Sequence, residues 1–506
     1  MQTSSIESTT KEAVVIGAGF GGLALAIRLQ SAGIQCTLLE KRDKPGGRAY
    51  VYEEDGFIFD AGPTVITDPA SLRELWVLSG RDMDDYVTLL PITPFYQLCW
   101  EDGYRFNYVN DQEALDRQIR DKSPEDVEGY RRFLEYSKDL YREGYEKLGA
   151  VPFQTIWSMV KAAPKLARLQ SQRSVYSKVA SYITDEHLRQ AFSFHSLLVG
   201  GNPFQASSIY ALIHALERKG GVWFAKGGTG ALVRGMATLF EDLGGTLRTE
   251  APVDQITTEA GRVTGVVSRG KRIHADMVAS NADVVHTYGD LLRDDPRGKH
   301  VEALRKKRFS MSLFVIYFGL KGLRPDLKHH MVLFGPRYRE LINEIFSANA
   351  LAEDFSLYLH CPSVTDETLA PPGHSAYYVL SPVPHLGTAD IDWAEEGPRY
   401  RDRILDYLDA RYIPGLKKDL VCSRIFTPFD FRDELNAHLG SAFSVEPILT
   451  QSAWFRPHNR DDKIPNLYIV GAGTHPGAGV PGVVSSAKAT ARLMLGDAGQ
   501  VEAARS

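Results

Sequence analysis

Residues 14–40 read VVIGAGFGGLALAIRLQSAGIQCTLLE. An apolar run ends at Ile16, the turn Gly17-Ala-Gly19-Phe-Gly21-Gly22 follows, and a stretch of helical composition runs on to a stop at Gly33. Residues 36–39 then have the composition of a buried strand, closed by Glu40. This order of strand, turn, helix, strand and acid meets the physical demands of dinucleotide binding. Gly17 permits the tight turn, Gly19 lets a pyrophosphate approach the backbone, and Gly22 lets the helix pack close to the strands. Free amides at the helix start face the phosphate charge. Glu40, eighteen residues after Gly22, is placed to accept hydrogen bonds from a ribose diol and disfavours a 2′-phosphate. The turn alone leaves NAD and FAD open.

Two further stretches bear on that choice. After Glu40 the chain continues KRDKPGGRAYVYEEDGFIFDAGPTV, where Gly46 and Gly47 make a flexible bend and Arg48 offers a fork suited to a phosphate oxygen. Near the C-terminus, an apolar run at 467–470 leads into GAGTHPGAGVPGVVSSAKAT, residues 471–490. Its glycines precede a helix of small residues that lets backbone lie against a flat ligand. The amides at that helix start suit the negative charge a reduced flavin carries near N1 and O2. The second glycine cluster therefore reads as the far wall of the first site, with the C-terminal strand returning beside the N-terminal one. A simple nicotinamide dehydrogenase has no need of such a segment, so the pair favours FAD.

Bulk properties set the limits. At 506 residues the chain exceeds one hydrophobic core and calls for at least two lobes. With 58 Lys plus Arg against 63 Asp plus Glu, the formal charge of −5 gives no electrostatic case for a nucleic-acid partner. Cys36, Cys99, Cys361 and Cys422 are scattered without paired or metal-ligand spacing, which fits a reducing, cytosolic setting and no metal. The first residues lack the basic-then-apolar order of a signal peptide, and the longest apolar runs are too short to span a bilayer. Any membrane contact is expected to be peripheral. No HExxH, P-loop or GxSxG motif is present, so metal-dependent hydrolysis, phosphoryl transfer and serine hydrolysis have no foothold.

With these residues in hand, the chain resembles the bacterial phytoene desaturases of the FAD-dependent amine-oxidase-like superfamily. The likeness runs from Val14 to near Leu495, carried by the two glycine stretches and by HSLLVGGNPFQASSIYALIHALE and FAKGGTGALVRGM. The resemblance implies FAD held by Gly17, Gly19, Gly22 and Glu40 at its adenosine and pyrophosphate half. Gly47 and Arg48 would lie along the phosphates and Val253 would face the adenine. Pro63 and Thr64 would approach the flavin ring, while Gly473, Val480, Pro481, Gly482 and Val483 would close over it. It also implies desaturation of phytoene to lycopene, through hydride removal and loss of a neighbouring proton, at the cytoplasmic face of the cell membrane. Quinone or oxygen would be the electron acceptor. A carotenoid isomerase, another carotenoid or amine flavin oxidase, and a prenyl-lipid escort protein of the same fold are the competing readings.

The fold expected is α/β: a Rossmann-like FAD-binding lobe interleaved with a mixed-sheet substrate lobe and a helical region. The nucleotide lobe is assigned to residues 11–70, 225–300 and 460–496, the substrate lobe to 71–119 and 301–459, and the helical, membrane-facing part to 120–224. Residues 156–168 have Ile156, Met159, Val160, Ala163 and Ala167 on one helical face and Lys161, Lys165 and Arg168 on the other, with Phe153 and Trp157 beside them. The acid-free stretch extends past Arg173 and Lys178, and Pro164 should kink the helix. No catalytic base is assigned. Lys161 and His475 are the groups worth testing, each more naturally structural or flavin-supporting, and His195 and His214 read as core histidines.

Overall fold

A computed structural model describes residues 11–347 and 350–500 of the chain. The tail before Lys11, which has no part in the glycine pattern, lies outside the described residues. The two opening apolar runs form parallel neighbours, Glu12–Ile16 and Gln35–Leu39, with Ile16 opposite Leu39. They belong to a five-stranded, all-parallel sheet in the order Leu467–Ile469, Met277–Ser280, Glu12–Ile16, Gln35–Leu39, Thr246–Arg248. The C-terminal strand thus shares the sheet of the N-terminal one but does not lie beside it. Met277–Ser280, buried at every position, sits between them, as suits a short central strand covered on both faces.

Helix Phe20–Ser31 packs against the C-terminal helix Val480–Asp497 and against helix Thr229–Asp242. An antiparallel three-stranded sheet, Val253–Glu259, Arg262–Ser268 and Lys271–His274, covers another side. Its turns place Ala260, Gly261 and Gly270 at positive φ.

The apolar runs after residue 305 supply five strands of a second, seven-stranded sheet, and residues 96–100 and 105–108 supply the other two. Its order is Leu420–Phe426, Ser312–Lys321, His374–Val383, Leu357–His360, His330–Phe334, Tyr96–Trp100, Arg105–Tyr108, antiparallel except where His330–Phe334 meets Tyr96–Trp100. Ser312–Lys321 is buried along its whole length except Lys321, because sheet neighbours flank it and apolar layers cover both faces.

Helices dominate from 112 to 220, including Asp126–Leu140, Ile156–Arg168, Glu186–Ser193 and Leu212–Gly220. Pro164 lies inside its helix without ending it. Two expectations for this region are corrected. Phe153 is buried, with its ring edge-on to His475 at 4.8 Å. Lys178 is also buried, its ammonium over the rings of Tyr136 and Tyr182, where cation–π attraction offsets part of the desolvation. Ile156, Trp157 and Val160 remain 44%, 69% and 49% exposed.

Candidate active site

A single cavity begins at the glycine turn, passes Pro63 and Thr64, and continues among apolar side chains of the seven-stranded sheet such as Val332, Leu357, Leu380 and Phe426. At the turn, Gly17 N donates to Leu39 O at 2.7 Å and Asn281 Nδ2 donates to Gly17 O at 3.2 Å. Strand Met277–Ser280 thereby clamps the loop from the other side. Helix Phe20–Ser31 leaves its opening amides without helical acceptors, and Gly19, Phe20 and Gly21 line the cavity. Gly22 does not line it. A Cβ there would lie 2.0 Å from Gly17 O, so this glycine lets helix and turn touch, as its place in the motif requires.

Glu40 is buried, with Oε2 accepting from Ala18 N at 2.8 Å and Oε1 from Arg42 N at 3.0 Å. Each oxygen keeps a second lone pair. Arg42 continues to Glu434 at 2.8 Å and lies 3.5 Å over the Tyr50 ring. Arg48 spends two donors on carbonyls, Nε on Ala442 at 2.6 Å and Nη2 on Ser441 at 3.4 Å, and so ties the Gly46-Gly47 bend to the far lobe. Asp283 caps the short helix Val284–His286 through Oδ1. Its Oδ2 is buried without a partner although the residue lines the cavity, and burial raises its pKa against the opposing pull of Arg48.

Thr64 anchors a chain of hydroxyls. Tyr378 Oη donates to Gly62 O at 3.0 Å, so Thr64 Oγ1 donates to Tyr378 at 2.7 Å and accepts from Tyr358 at 3.2 Å. Each hydroxyl has one proton to give, so His330 Nδ1–H supplies the 2.7 Å bond to Tyr358. Val253 reaches the wall because Ala251 N bonds Glu40 O at 2.8 Å and draws its strand in. Opposite, residues 477–483 form the wall that the second glycine cluster was expected to supply.

Twelve of the fourteen expected cofactor residues therefore surround one cavity: Gly17, Gly19, Glu40, Gly47, Arg48, Pro63, Thr64, Val253, Val480, Pro481, Gly482 and Val483. Gly22 and Gly473 support it from behind. A Cβ on Gly473 would lie 2.5 Å from Val284 Cγ1, so its smallness serves packing of the loop on the 284–286 turn.

Neither candidate for chemistry lines the cavity. Lys161 is exposed on its helix. His475 donates from Nε2 to Leu148 O at 2.9 Å, and burial lowers its pKa to about 4. His214 is a core histidine bonded to Tyr108 and Tyr130. His195 is buried too, but its Nε2 lies 3.1 Å from Glu217 Oε2. Glu217, Asn281, Asp283, Tyr358 and Tyr378 all line the cavity, and sequence reading singled out none of them. They belong to no local motif and meet only through the fold. His329, His330 and His360, likewise unmarked by any metal spacing, bring ring nitrogens within 4.8 Å of one another. Burial lowers all three pKa values and leaves the rings uncharged.

The parallel sheet with its glycine turn, the clamped acid and the cavity continuing into an apolar second lobe define a two-lobe dinucleotide-binding oxidoreductase. The chain belongs to the flavin containing amine oxidoreductase family, whose pattern matches residues 20–495, and within it to the phytoene desaturases. It is 66% identical to the lycopene-forming phytoene desaturase of Pantoea ananas, across 96% of this chain and 99% of that one. To the neurosporene-forming phytoene desaturase of Cereibacter sphaeroides it is 45% identical, across 97% and 96%. Among solved structures, an oxidoreductase from Methanosarcina mazei superposes with a TM-score of 0.66 at 18% identity, covering 94% of this chain and 98% of that one. Cyclohexylamine oxidase from Brevibacterium oxydans gives 0.63 at 17%, covering 97% and 100%. These two share the fold.

The protein is an FAD-dependent oxidoreductase. The residues present fit FAD: a glycine cradle that side chains would fill, a buried acid with spare acceptor capacity, and the unpartnered Asp283 oxygen, which calls for a hydroxyl donor such as a polyol provides.

Proposed function

We propose that the chain desaturates phytoene to lycopene in successive steps. The observation that carries this reading is the single cavity that joins the glycine turn to the apolar wall of the second sheet, in a chain similar along nearly its whole length to lycopene-forming desaturases. A long hydrocarbon has no polar handle, so only an apolar wall can hold it. When bound, FAD supplies the two-electron acceptor that a saturated C–H bond requires. In this reading Glu40, Arg48 and Asp283 hold the cofactor, with Gly17, Gly19, Gly47, Val253 and residues 480–483 around it. Thr64, fixed by Tyr358 and Tyr378, sets the cavity wall where the cofactor and substrate portions meet. The packed aromatic rings behind that wall exclude water, which protects a cationic intermediate.

The same proposal places the protein peripherally on the cytoplasmic face of the cell membrane. Exposed Ile156, Trp157 and Val160 beside Lys161, Lys165 and Arg168 support it. So do Gly144, Tyr145 and Gly149, which precede that helix and line the cavity. Among the described residues no helix is long and apolar enough to cross a membrane. Quinone or oxygen then reoxidises the cofactor. The test is to incubate the protein with FAD and phytoene-loaded liposomes and to record the product spectrum. Absorption bands of an extended polyene are expected, whereas a cis-to-trans shift without added double bonds refutes the proposal.

A further inference from the structure

Among the described residues four carboxylates line the cavity: Glu40, Glu217, Asp283 and Glu434. Three belong to the nucleotide end, where Glu40 bonds the glycine turn, Asp283 follows Asn281, and Glu434 pairs with Arg42. Glu217 stands apart. It lies on helix Leu212–Gly220, whose Leu212, Ile213 and Leu216 share its cavity-lining face, and it is 0% exposed.

Among the described residues no lysine or arginine pairs with it. Tyr96 Oη donates to Oε1 at 2.7 Å, and His195 Nε2 lies 3.1 Å from Oε2. Rings of Phe194 and His195 surround Tyr96, and those of Tyr108 and His214 flank His195. With His195 Nε2–H donating, the buried and unpartnered Nδ1 keeps a bare lone pair rather than a stranded N–H, and both Glu217 oxygens act as acceptors. A carboxylate packed among aromatic rings at a cavity wall without a permanent cation is costly to bury. Leucine at 217 with phenylalanine at 96 and 195 would fill the same space without that cost. Packing therefore does not account for an acid here.

We propose that Glu217 is the base that takes the proton lost in each desaturation, with Tyr96 and His195 as positioning residues that hold its carboxylate at the cavity wall. The proposal rests on the desaturase reading above, in which a hydride leaves a carbon beside the conjugated system and an allylic cation remains. The C–H bond on the neighbouring carbon then breaks. Its electron pair becomes the new π bond, and its proton forms an O–H bond on Glu217. A cation and a carboxylate become a neutral polyene and a neutral acid, and cancelling two opposite charges is favoured strongly where the surroundings screen them little.

The test uses the full-length, FAD-loaded protein with phytoene in liposomes, with the wild type alongside. Glu217→Gln keeps the size of the side chain and should lower kcat by about 10²- to 10⁴-fold, the usual contribution of a positioned base, with KM and FAD content near wild type and a somewhat lower melting temperature, because its NH2 group faces a buried donor. Glu217→Asp keeps a carboxylate at a longer reach. It should run at least about tenfold faster than the Gln variant, with a larger isotope effect than wild type for phytoene deuterated at the carbon that loses the proton. A wild type that adds no double bonds would refute the desaturase reading instead. An active wild type with a Gln variant within threefold of it, equal rates for the Gln and Asp variants, or an unchanged isotope effect would each overturn the role of Glu217.

Discussion

Glu40 serves the fold and, in the proposed reading, the cofactor with one carboxylate. It satisfies the buried amides of Ala18 and Arg42 and lines the cavity. Glu40→Arg removes both acceptors and places a cation where the ribose diol should sit. Losing acceptors for buried donors costs about 1–3 kcal/mol each, so flavin absorbance per chain should fall at least about tenfold after gel filtration. Normal flavin content would remove Glu40 from the cofactor site. His360 presents the opposite case. Both its ring nitrogens are buried without partners, and its ring lies 4.7 Å from Tyr378. His360→Phe keeps the aromatic contact and removes the unpaired groups, so it should stabilise the protein by about 1 kcal/mol, read as a higher midpoint in denaturant. The glycines were legible at this scale because their requirement is local backbone geometry. Glu217, Asn281 and Asp283 were not, since an isolated acid or amide in sequence carries no sign of what faces it.

At the scale of the element, the C-terminal helix and the helix Ile156–Arg168 carry the two claims that mutation addresses most directly. A Cβ on Gly482 would lie 2.7 Å from Gly477 O, so Gly482→Val pushes the helix start away from its own loop. Such overpacking costs about 1–3 kcal/mol. The fold should survive with a melting temperature a few degrees lower, while flavin content is largely lost; unchanged flavin content would show that this wall does not seat the cofactor. Helix Ile156–Arg168 formed with the bounds that its periodicity implies, yet periodicity does not say which face finds a partner. Phe153 and Lys178, expected with the exposed group, turned inward to His475 and to Tyr136 and Tyr182. Trp157→Glu should cut liposome co-sedimentation several-fold and leave FAD content intact. Co-sedimentation equal to wild type would exclude this helix as the docking element.

For the molecule as a whole, buried neutral histidines predict how stability depends on pH. Burial lowers His329 to about 3 and His475 to about 4, and partial burial lowers His385 to about 4, from an ordinary 6.5. Between those values the unfolded chain binds protons that the folded chain does not. Their stabilisation is therefore complete above pH 6.5 and is lost progressively as pH falls toward 3–4, by up to about 1.4 kcal/mol per pH unit for each histidine. Denaturant midpoints should fall steadily below pH 6.5, and a flat profile between pH 7 and 4 would contradict this burial. The parallel sheet and the second sheet were both readable as apolar runs. Their neighbours were not: Met277–Ser280 intervenes between the N- and C-terminal strands, because many pairings bury such short runs equally well and only the complete packing selects one.

By itself, the sequence determined the two glycine clusters and the acid that follows the first of them, and hence a flavin rather than a nicotinamide cofactor. Each depends on a constraint within a few residues: a positive φ, an approach too close for a Cβ, a helix start with free amides. Tertiary structure alone decided that twelve expected residues face one cavity, that Gly22 and Gly473 stand behind it, and that a buried acid on a distant helix reaches its apolar part. Those facts depend on which surfaces exclude water together, a property of the whole packed chain.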